Sequence, residues 1–100
     1  MVDSEASSNT FCLQAIAHGR VQGVNYRAFV LEKARQLALT GFVRNLPSYE
    51  EFEIQAEGKK ENLDKLLLFL NQGPSFAKVD KVEVSWTKPA YKFQDFIIKY

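Results

Sequence analysis

The spacing of hydrophobic residues changes in a fixed order along the chain, and this order limits the folds that are possible. From Phe11 to His18 apolar side chains recur at every second residue, which is typical of a β-strand with one buried face. From Tyr26 to Leu39 they recur every three to four residues, which predicts an amphipathic helix. We expect this helix to end at Thr40-Gly41, with Gly41 as its left-handed cap.

The remaining segments repeat these two patterns. A second helix is predicted around residues 63–70, where leucines recur at helical spacing, and Gly73-Pro74 ends it. Alternating patterns predict four more strands, at 42–45, 51–57, 81–86 and 96–100. This order predicts the α+β class, as a ferredoxin-like βαββαβ sandwich. We expect an antiparallel sheet of four to five strands with two helices on one face.

Length and composition exclude several classes of protein. One hundred residues suffice for one core, so we predict a flexible tail over 1–10 and one domain over 11–100. The net charge is +1 and no basic stretch stands out, which argues against a nucleic-acid partner. No apolar run approaches the roughly 20 residues that cross a bilayer, so we expect no membrane association. We predict a monomer that acts on a small molecule.

The two residue types that most often mark reactive or metal sites occur once each. Cys12 has no partner for an internal disulfide, which favours a reducing, cytoplasmic location. His18 by itself cannot build a zinc site of the usual composition. It also has no carboxylate partner near it in sequence, so we leave it out of the predicted site.

The segment Gly19 to Arg27 joins the first strand to the first helix and is the best candidate for a binding site. Its two glycines, Gly19 and Gly23, allow backbone N–H groups to converge on an anion. The helix that follows adds its free N–H groups and the positive end of its dipole. Arg27, expected in the first turn, can add paired hydrogen bonds to phosphate oxygens. The segment therefore predicts a phosphate cradle.

This segment resembles the signature of the acylphosphatase family, G-x-V-Q-G-V-x-[FY]-R, and fills every specified position of it. The resemblance continues through Gly41-Phe42-Val43-Arg44-Asn45 and covers about residues 11–100. It implies a hydrolase of acyl phosphates that needs no metal, cofactor or covalent intermediate. It also implies Arg27 and Asn45 as catalytic residues, with Asn45 positioning the attacking water. The residues implied to bind the phosphate are Gln22, Gly23, Val24, Asn25, Tyr26 and Arg27.

Some features favour plainer interpretations. Without the resemblance, Asn45 before Leu46-Pro47 would be interpreted as a residue that tolerates the end of a strand. The hairpin from Leu46 to Glu50 lacks the glycine that many family members have there, so we expect a wider loop.

Two other functions remain open from the sequence. One is a non-catalytic module that binds acyl phosphate, which the complete signature argues against. The other is a ferredoxin-like module that binds single-stranded RNA on its open sheet face. An acidic row that we expect to be solvated should repel a nucleic-acid backbone on that face; it consists of Glu51, Glu53, Gln55 and Glu57.

Overall fold

The predicted element order is present in the structure, a computed structural model that describes residues 9–20, 23–48, 50–75 and 77–100. The predicted ferredoxin-like fold is confirmed. Most of the tail lies outside the described residues, and the first strand begins at Thr10, inside the segment predicted as tail. The elements are β1 (Thr10–Arg20), α1 (Gly23–Gln36), β2 (Thr40–Asn45), β3 (Glu51–Lys59), α2 (Lys60–Gln72), β4 (Lys78–Thr87) and β5 (Phe96–Ile98).

The five strands form one sheet in the order β4-β1-β3-β2-β5. The pairs β4-β1, β1-β3 and β3-β2 are antiparallel, as predicted. The fifth strand differs from the prediction, because β5 runs parallel to β2. The reason is the path of the chain. β4 and β2 run in opposite directions, so β4 stops at the end of the sheet where β2 starts, and the connection over residues 88–95 crosses the sheet along that end. The strand that follows must therefore run in the direction of β2.

The core lies between the sheet and the two helices. Leu13, Ile54 and Val43 are fully buried on neighbouring strands, and Val30 and Leu66 cover them from α1 and α2. Because every second residue of a strand points to this layer, apolar residues alternate with polar ones along the strand sequences. α1 has 14 residues and α2 has 13. Within the described parts of the chain, no helix is long and apolar enough to cross a membrane.

The boundaries predicted for the first helix are wrong at both ends. α1 begins at Gly23 rather than Tyr26, and it ends at Gln36. The left-handed residue after it is Ala38, with φ 58°, and not Gly41. Gly41 lies inside β2 with φ 138°, and a Cβ there would overlap the carbonyl oxygen of Gln55 on β3. Gly41 is therefore needed for close pairing of two strands, and the helix must end earlier.

The interpretation of Glu57 as a solvated residue is also wrong. Glu57 is only 4% exposed, whereas Glu51, Glu53 and Gln55 on the same face are partly exposed. The 88–95 connection covers this end of the open face. The Glu57 carboxylate accepts hydrogen bonds from the backbone N–H groups of Ala90 (2.7 Å) and Tyr91 (3.0 Å). A buried carboxylate is tolerated here because its oxygens are hydrogen-bonded.

Candidate active site

Gly19, at the end of β1, is required for packing against the neighbouring strand. A Cβ at this position would overlap the carbonyl oxygen of Lys78 on β4. The register between β1 and β4 shifts between His18 and Gly19, so the strands approach closely at this irregularity. The sequence assigned Gly19 to an anion-binding loop, but the close approach to β4 is sufficient to explain a glycine there.

The connection from β1 to α1 is short, and the helix begins within the predicted cradle. Val21 and Gln22 lie outside the described residues, as does the side chain of Val24. The backbone from Gly23 onward is helical. The first N–H groups of a helix have no partner within it, and here they include those of residues 23–25. The predicted cradle is therefore largely the N-terminal turn of α1, which favours an anion.

Arg27 lies in the second turn of α1, one turn later than predicted, because the helix starts at Gly23. Its side chain is partly buried. The guanidinium carbon lies 5.0 Å from the centre of the Tyr100 ring, a distance typical of cation–π contact. Asn25, two residues nearer the helix start, is exposed.

Asn45 is the last residue of β2 and lies on the helix-covered side of the sheet, two residues beyond the buried Val43. Its partner across the strand pair is Phe52. The Phe52 ring centre is 4.6 Å from that of Tyr26, the residue before Arg27. This contact places the end of β2 beside the start of α1, so Asn45 and Arg27 lie at the same end of the sheet.

The side chain of Tyr26 belongs to the core rather than to the cradle. It is 1% exposed, and its hydroxyl donates a 3.0 Å hydrogen bond to the carbonyl oxygen of Leu70 on α2. Burial raises the pKa of this phenol far above its ordinary value. Only the backbone of Tyr26 can therefore take part in binding a phosphate.

The sequence interpretation missed Tyr100. Its alternating position suggested a third inward-facing residue of the last strand, but β5 ends at Ile98 and the Tyr100 side chain is fully exposed. The backbone N–H of Lys99 donates to the carbonyl of Val43, which keeps the chain beside β2 after the strand ends. Tyr100 thereby reaches Arg27. In the sequence, Tyr100 is an aromatic residue in an amphipathic pattern, and that pattern does not indicate a contact with Arg27.

The hairpin after Asn45 is a wider loop, as predicted. The N–H of Leu46 donates to the carbonyl of Glu51 (2.9 Å), which leaves four residues between them. One of these, Tyr49, lies outside the described residues. The N–H of Gly19 donates to the carbonyl of Glu50 (3.0 Å). This bond ties the hairpin to the end of β1 where the cradle begins.

His18 has no carboxylate near it in sequence, but the fold brings two to it. Its Nδ1 lies 3.2 Å from an oxygen of Glu51, and its Nε2 lies 3.0 Å from an oxygen of Glu83. Glu83 is 65 residues away in sequence, so the pairing arises only when β4 joins the sheet. Within the described residues, no three His, Cys, Asp or Glu side chains form a group that could hold a metal ion.

Comparison with known proteins places these residues in a family context. The chain matches the family model described as Acylphosphatase over residues 13–98. It is 44% identical over 89 residues to an acylphosphatase of Dehalococcoides mccartyi, covering 89% of this chain and 98% of that protein. Identity to an acylphosphatase of Thermus thermophilus is 50% over 78 residues, 78% of this chain and 88% of the relative. The structure of an acylphosphatase from Coxiella burnetii is similar with a TM-score of 0.85 at 33% identity, covering 96% of this chain and 99% of that one.

Proposed function

Because the chain belongs to the acylphosphatase family, we propose that it hydrolyses the carboxyl-phosphate bond of small acyl phosphates to a carboxylate and inorganic phosphate. One observation carries this proposal beyond family membership. Arg27, on the first turns of α1, and Asn45, at the end of β2, lie at the same end of the sheet, joined through the Tyr26–Phe52 contact. A cation at a helix N-terminus and a neutral hydrogen-bonding group beside it suit a phosphoryl group and a water molecule.

The phosphoryl group is bound by the start of α1 and by Arg27. The N–H groups of residues 23–25 and the helix dipole favour a dianion. Arg27 opposes the dipole when no anion is bound, and a bound phosphate offsets that repulsion while accepting two hydrogen bonds from the guanidinium. The family signature implies that Gln22, through its side chain or backbone, also binds the phosphoryl group; Gln22 lies outside the described residues. The aromatic contact with Tyr100 limits the directions in which the guanidinium can point.

The reaction proceeds by direct attack of water on phosphorus. The Asn45 side-chain carbonyl accepts a hydrogen bond from this water and aligns it opposite the acyl oxygen. The new bond joins the water oxygen to phosphorus, and the bond between phosphorus and the acyl oxygen breaks. A carboxylate leaves without needing a proton, and the water protons pass to the product phosphate and solvent. Alignment and charge stabilisation then supply most of the rate acceleration.

Four further statements belong to this proposal. The domain spans residues 11–100, and it acts as a monomer. It needs no metal or cofactor, because the helix amides and Arg27 supply the positive potential that a metal would otherwise provide. The protein is cytoplasmic; the buried, unpaired thiol of Cys12 suits a reducing compartment. Light scattering in solution tests the oligomeric state, and a dimer mass would contradict the proposal of a monomer.

Hydrolysis of benzoyl phosphate tests the function. We expect turnover that is unchanged by excess EDTA, and turnover of p-nitrophenyl phosphate that is lower by orders of magnitude, because a phenolate ester has the poorer leaving group and the site offers no strong base. Inorganic phosphate should inhibit competitively. Dependence on added magnesium or zinc would contradict this mechanism. Phosphate binding without any turnover of benzoyl phosphate would instead indicate the non-catalytic alternative.

A further inference from the structure

His18 connects three strands on the open face of the sheet, the face that the helices do not cover. It lies near the end of β1, with Glu51 of β3 on one side and Glu83 of β4 on the other. Its side chain is 21% exposed. The ammonium group of Lys81 lies 3.3 Å from the same Glu83 oxygen that faces the imidazole. The cavity beside the ring is also lined by the carboxylate side chains of Glu50 and Asp80.

The neutral and the charged imidazole differ in the contacts that they can make with the two carboxylates. A neutral imidazole can keep the 3.0 Å hydrogen bond to Glu83, whereas its 3.2 Å contact with Glu51 is an ion pair and depends on the charge of the imidazolium. The hydrogen bond and charge of Lys81 lower the pKa of the Glu83 carboxyl, with a smaller contribution from His18. Glu83 therefore remains an acceptor. Loss of the imidazolium proton leaves one ring nitrogen with its lone pair directed at a carboxylate.

The pair of His18 and Glu51 also anchors the hairpin that follows Asn45. Besides facing His18, the Glu51 side chain accepts a 3.0 Å hydrogen bond from the Ser48 hydroxyl. The next residue of β1, Gly19, binds the Glu50 carbonyl through its N–H. Two adjacent residues at the end of β1 thus hold the return strand of the hairpin, one by a side chain and one by its backbone. The other strand of the same hairpin ends in Asn45.

We propose that His18 is a positioning residue for the hydrolysis: its imidazolium, held between Glu51 and Glu83, fixes the Leu46–Glu50 hairpin and thereby sets Asn45 against the start of α1. The inference rests on the proposed function. His18 touches neither substrate nor water in this mechanism. It acts through Glu51, so that without the imidazolium charge the anchor weakens and the water is less well aligned.

The test is kcat for benzoyl phosphate as a function of pH, compared with the titration of His18 followed by NMR. His18 is the single histidine of the chain, so its ring signals need no assignment. In the wild type we expect kcat to fall on the order of tenfold as the pH rises through the range in which the NMR signals of His18 change. Small misalignments at a reacting centre have effects of this size or larger. His18→Gln should have the low value at every pH. His18→Lys, whose ammonium can donate to both carboxylates, should keep the high value across the range.

Further variants separate the anchor from general effects on the fold. Glu51→Gln should lower kcat as His18→Gln does, and the double variant should be no worse than either single one. Asp64→Asn removes a carboxylate from the Lys60–Asp64 pair on α2, away from the hairpin, and should leave kcat unchanged. Circular dichroism at each pH checks folding.

The outcomes are distinguishable. A wild type that does not hydrolyse benzoyl phosphate would overturn the proposed function itself. A wild type that is active, with kcat constant across the His18 titration, would overturn only the positioning role. So would a His18→Gln protein with the high kcat, or a His18→Lys protein as slow as His18→Gln.

Discussion

Arg27 and Asn45 reach the same end of the sheet from different elements, and the proposed mechanism gives them separable tasks. Arg27 pairs with phosphoryl oxygens both before and during the reaction, whereas Asn45 acts on water. A group that binds the substrate and holds the transition state more strongly affects both binding and turnover, whereas a group that acts only in the transition state affects mainly turnover. The two variants should therefore differ in which parameter changes.

Arg27→Gln should weaken phosphate binding and lower kcat, because the anion loses a paired cation. Asn45→Ala should bind phosphate almost as the wild type does, while kcat falls on the order of a hundredfold, as when one positioned group is removed from a reacting centre. Calorimetric titration with phosphate and benzoyl phosphate kinetics measure both. Lys33→Gln is the control: it removes another cation of α1, which lies over the Phe29 and Phe69 rings in the last turn of the helix. Wild-type turnover by Asn45→Ala would show that another group positions the water.

Tyr26 provides a prediction about stability that does not involve the chemistry. Tyr26→Phe removes the hydroxyl that donates to the Leu70 carbonyl and should lower the free energy of unfolding by about 1 kcal/mol at neutral pH, with kcat unchanged. The phenol has a higher pKa in the folded protein than in the unfolded chain. Its contribution is therefore fully present below about pH 10, the pKa of an unperturbed tyrosine, and is lost as the pH rises beyond it.

Urea denaturation of the wild type and Tyr26→Phe at neutral and alkaline pH measures this difference. The stabilities of the two proteins should converge above about pH 10. A difference that grows with pH would mean that the sign of this argument is wrong.

At the scale of elements, the end of α1 shows how strand pairing can fix where a helix stops. The N–H of Leu39 donates to the carbonyl of Ala34, and the N–H of Ala38 donates to that of Arg35. These are the two bonds of a Schellman motif, in which the residue with positive φ is usually glycine. Here it is Ala38, while the glycine three residues later is needed in β2. The Cβ of Ala38 therefore strains the backbone at the end of α1.

Ala38→Gly should raise the free energy of unfolding by about 0.5–1 kcal/mol. The left-handed conformation costs alanine roughly 1–2 kcal/mol, and the greater freedom of glycine in the unfolded chain returns part of that gain. The same substitution at Ala28, an exposed position inside α1, should destabilise by about 1 kcal/mol. Urea denaturation of both variants provides the comparison. Destabilisation by both would show that the φ of Ala38 costs little.

At the scale of the whole molecule, the 88–95 connection joins one edge of the sheet to the other and completes the site. It leads from β4 to β5, and β5 brings Tyr100 to Arg27. Glu57 holds its first part through two backbone N–H groups. Arg35 of α1 holds its end, donating to the carbonyl of Phe96 and pairing with Asp95 at 3.2 Å. Contacts far from Arg27 therefore determine where Tyr100 lies.

Glu57→Gln should lower the free energy of unfolding by about 1–3 kcal/mol, because an amide oxygen can replace only one of the two acceptors and the amide nitrogen then faces an N–H donor. Glu53→Gln is the matched control. Glu53 lies on the same strand and face and pairs with Arg44 at a partly exposed position, where loss of an ion pair costs at most about 1 kcal/mol. Equal effects of the two substitutions in urea denaturation would contradict the role given to Glu57.

The order and type of the elements could be predicted from local patterns, because hydrophobic periodicity is local and each strand or helix shows which side it buries. The sequence also identified the family, which the comparisons confirm, because the Gly19–Arg27 signature is contiguous. The roles of Arg27 and Asn45 stay predictions.

Tertiary structure decided what depends on residues distant in sequence. Ala38 ends α1 because Gly41 must approach β3, and β5 runs parallel to β2 because of where β4 ends. Glu57 is buried by a connection more than 30 residues away, and His18 meets Glu83 only across a strand pair. Each of these contacts forms only after the sheet has assembled, so no local pattern of side chains could have specified it.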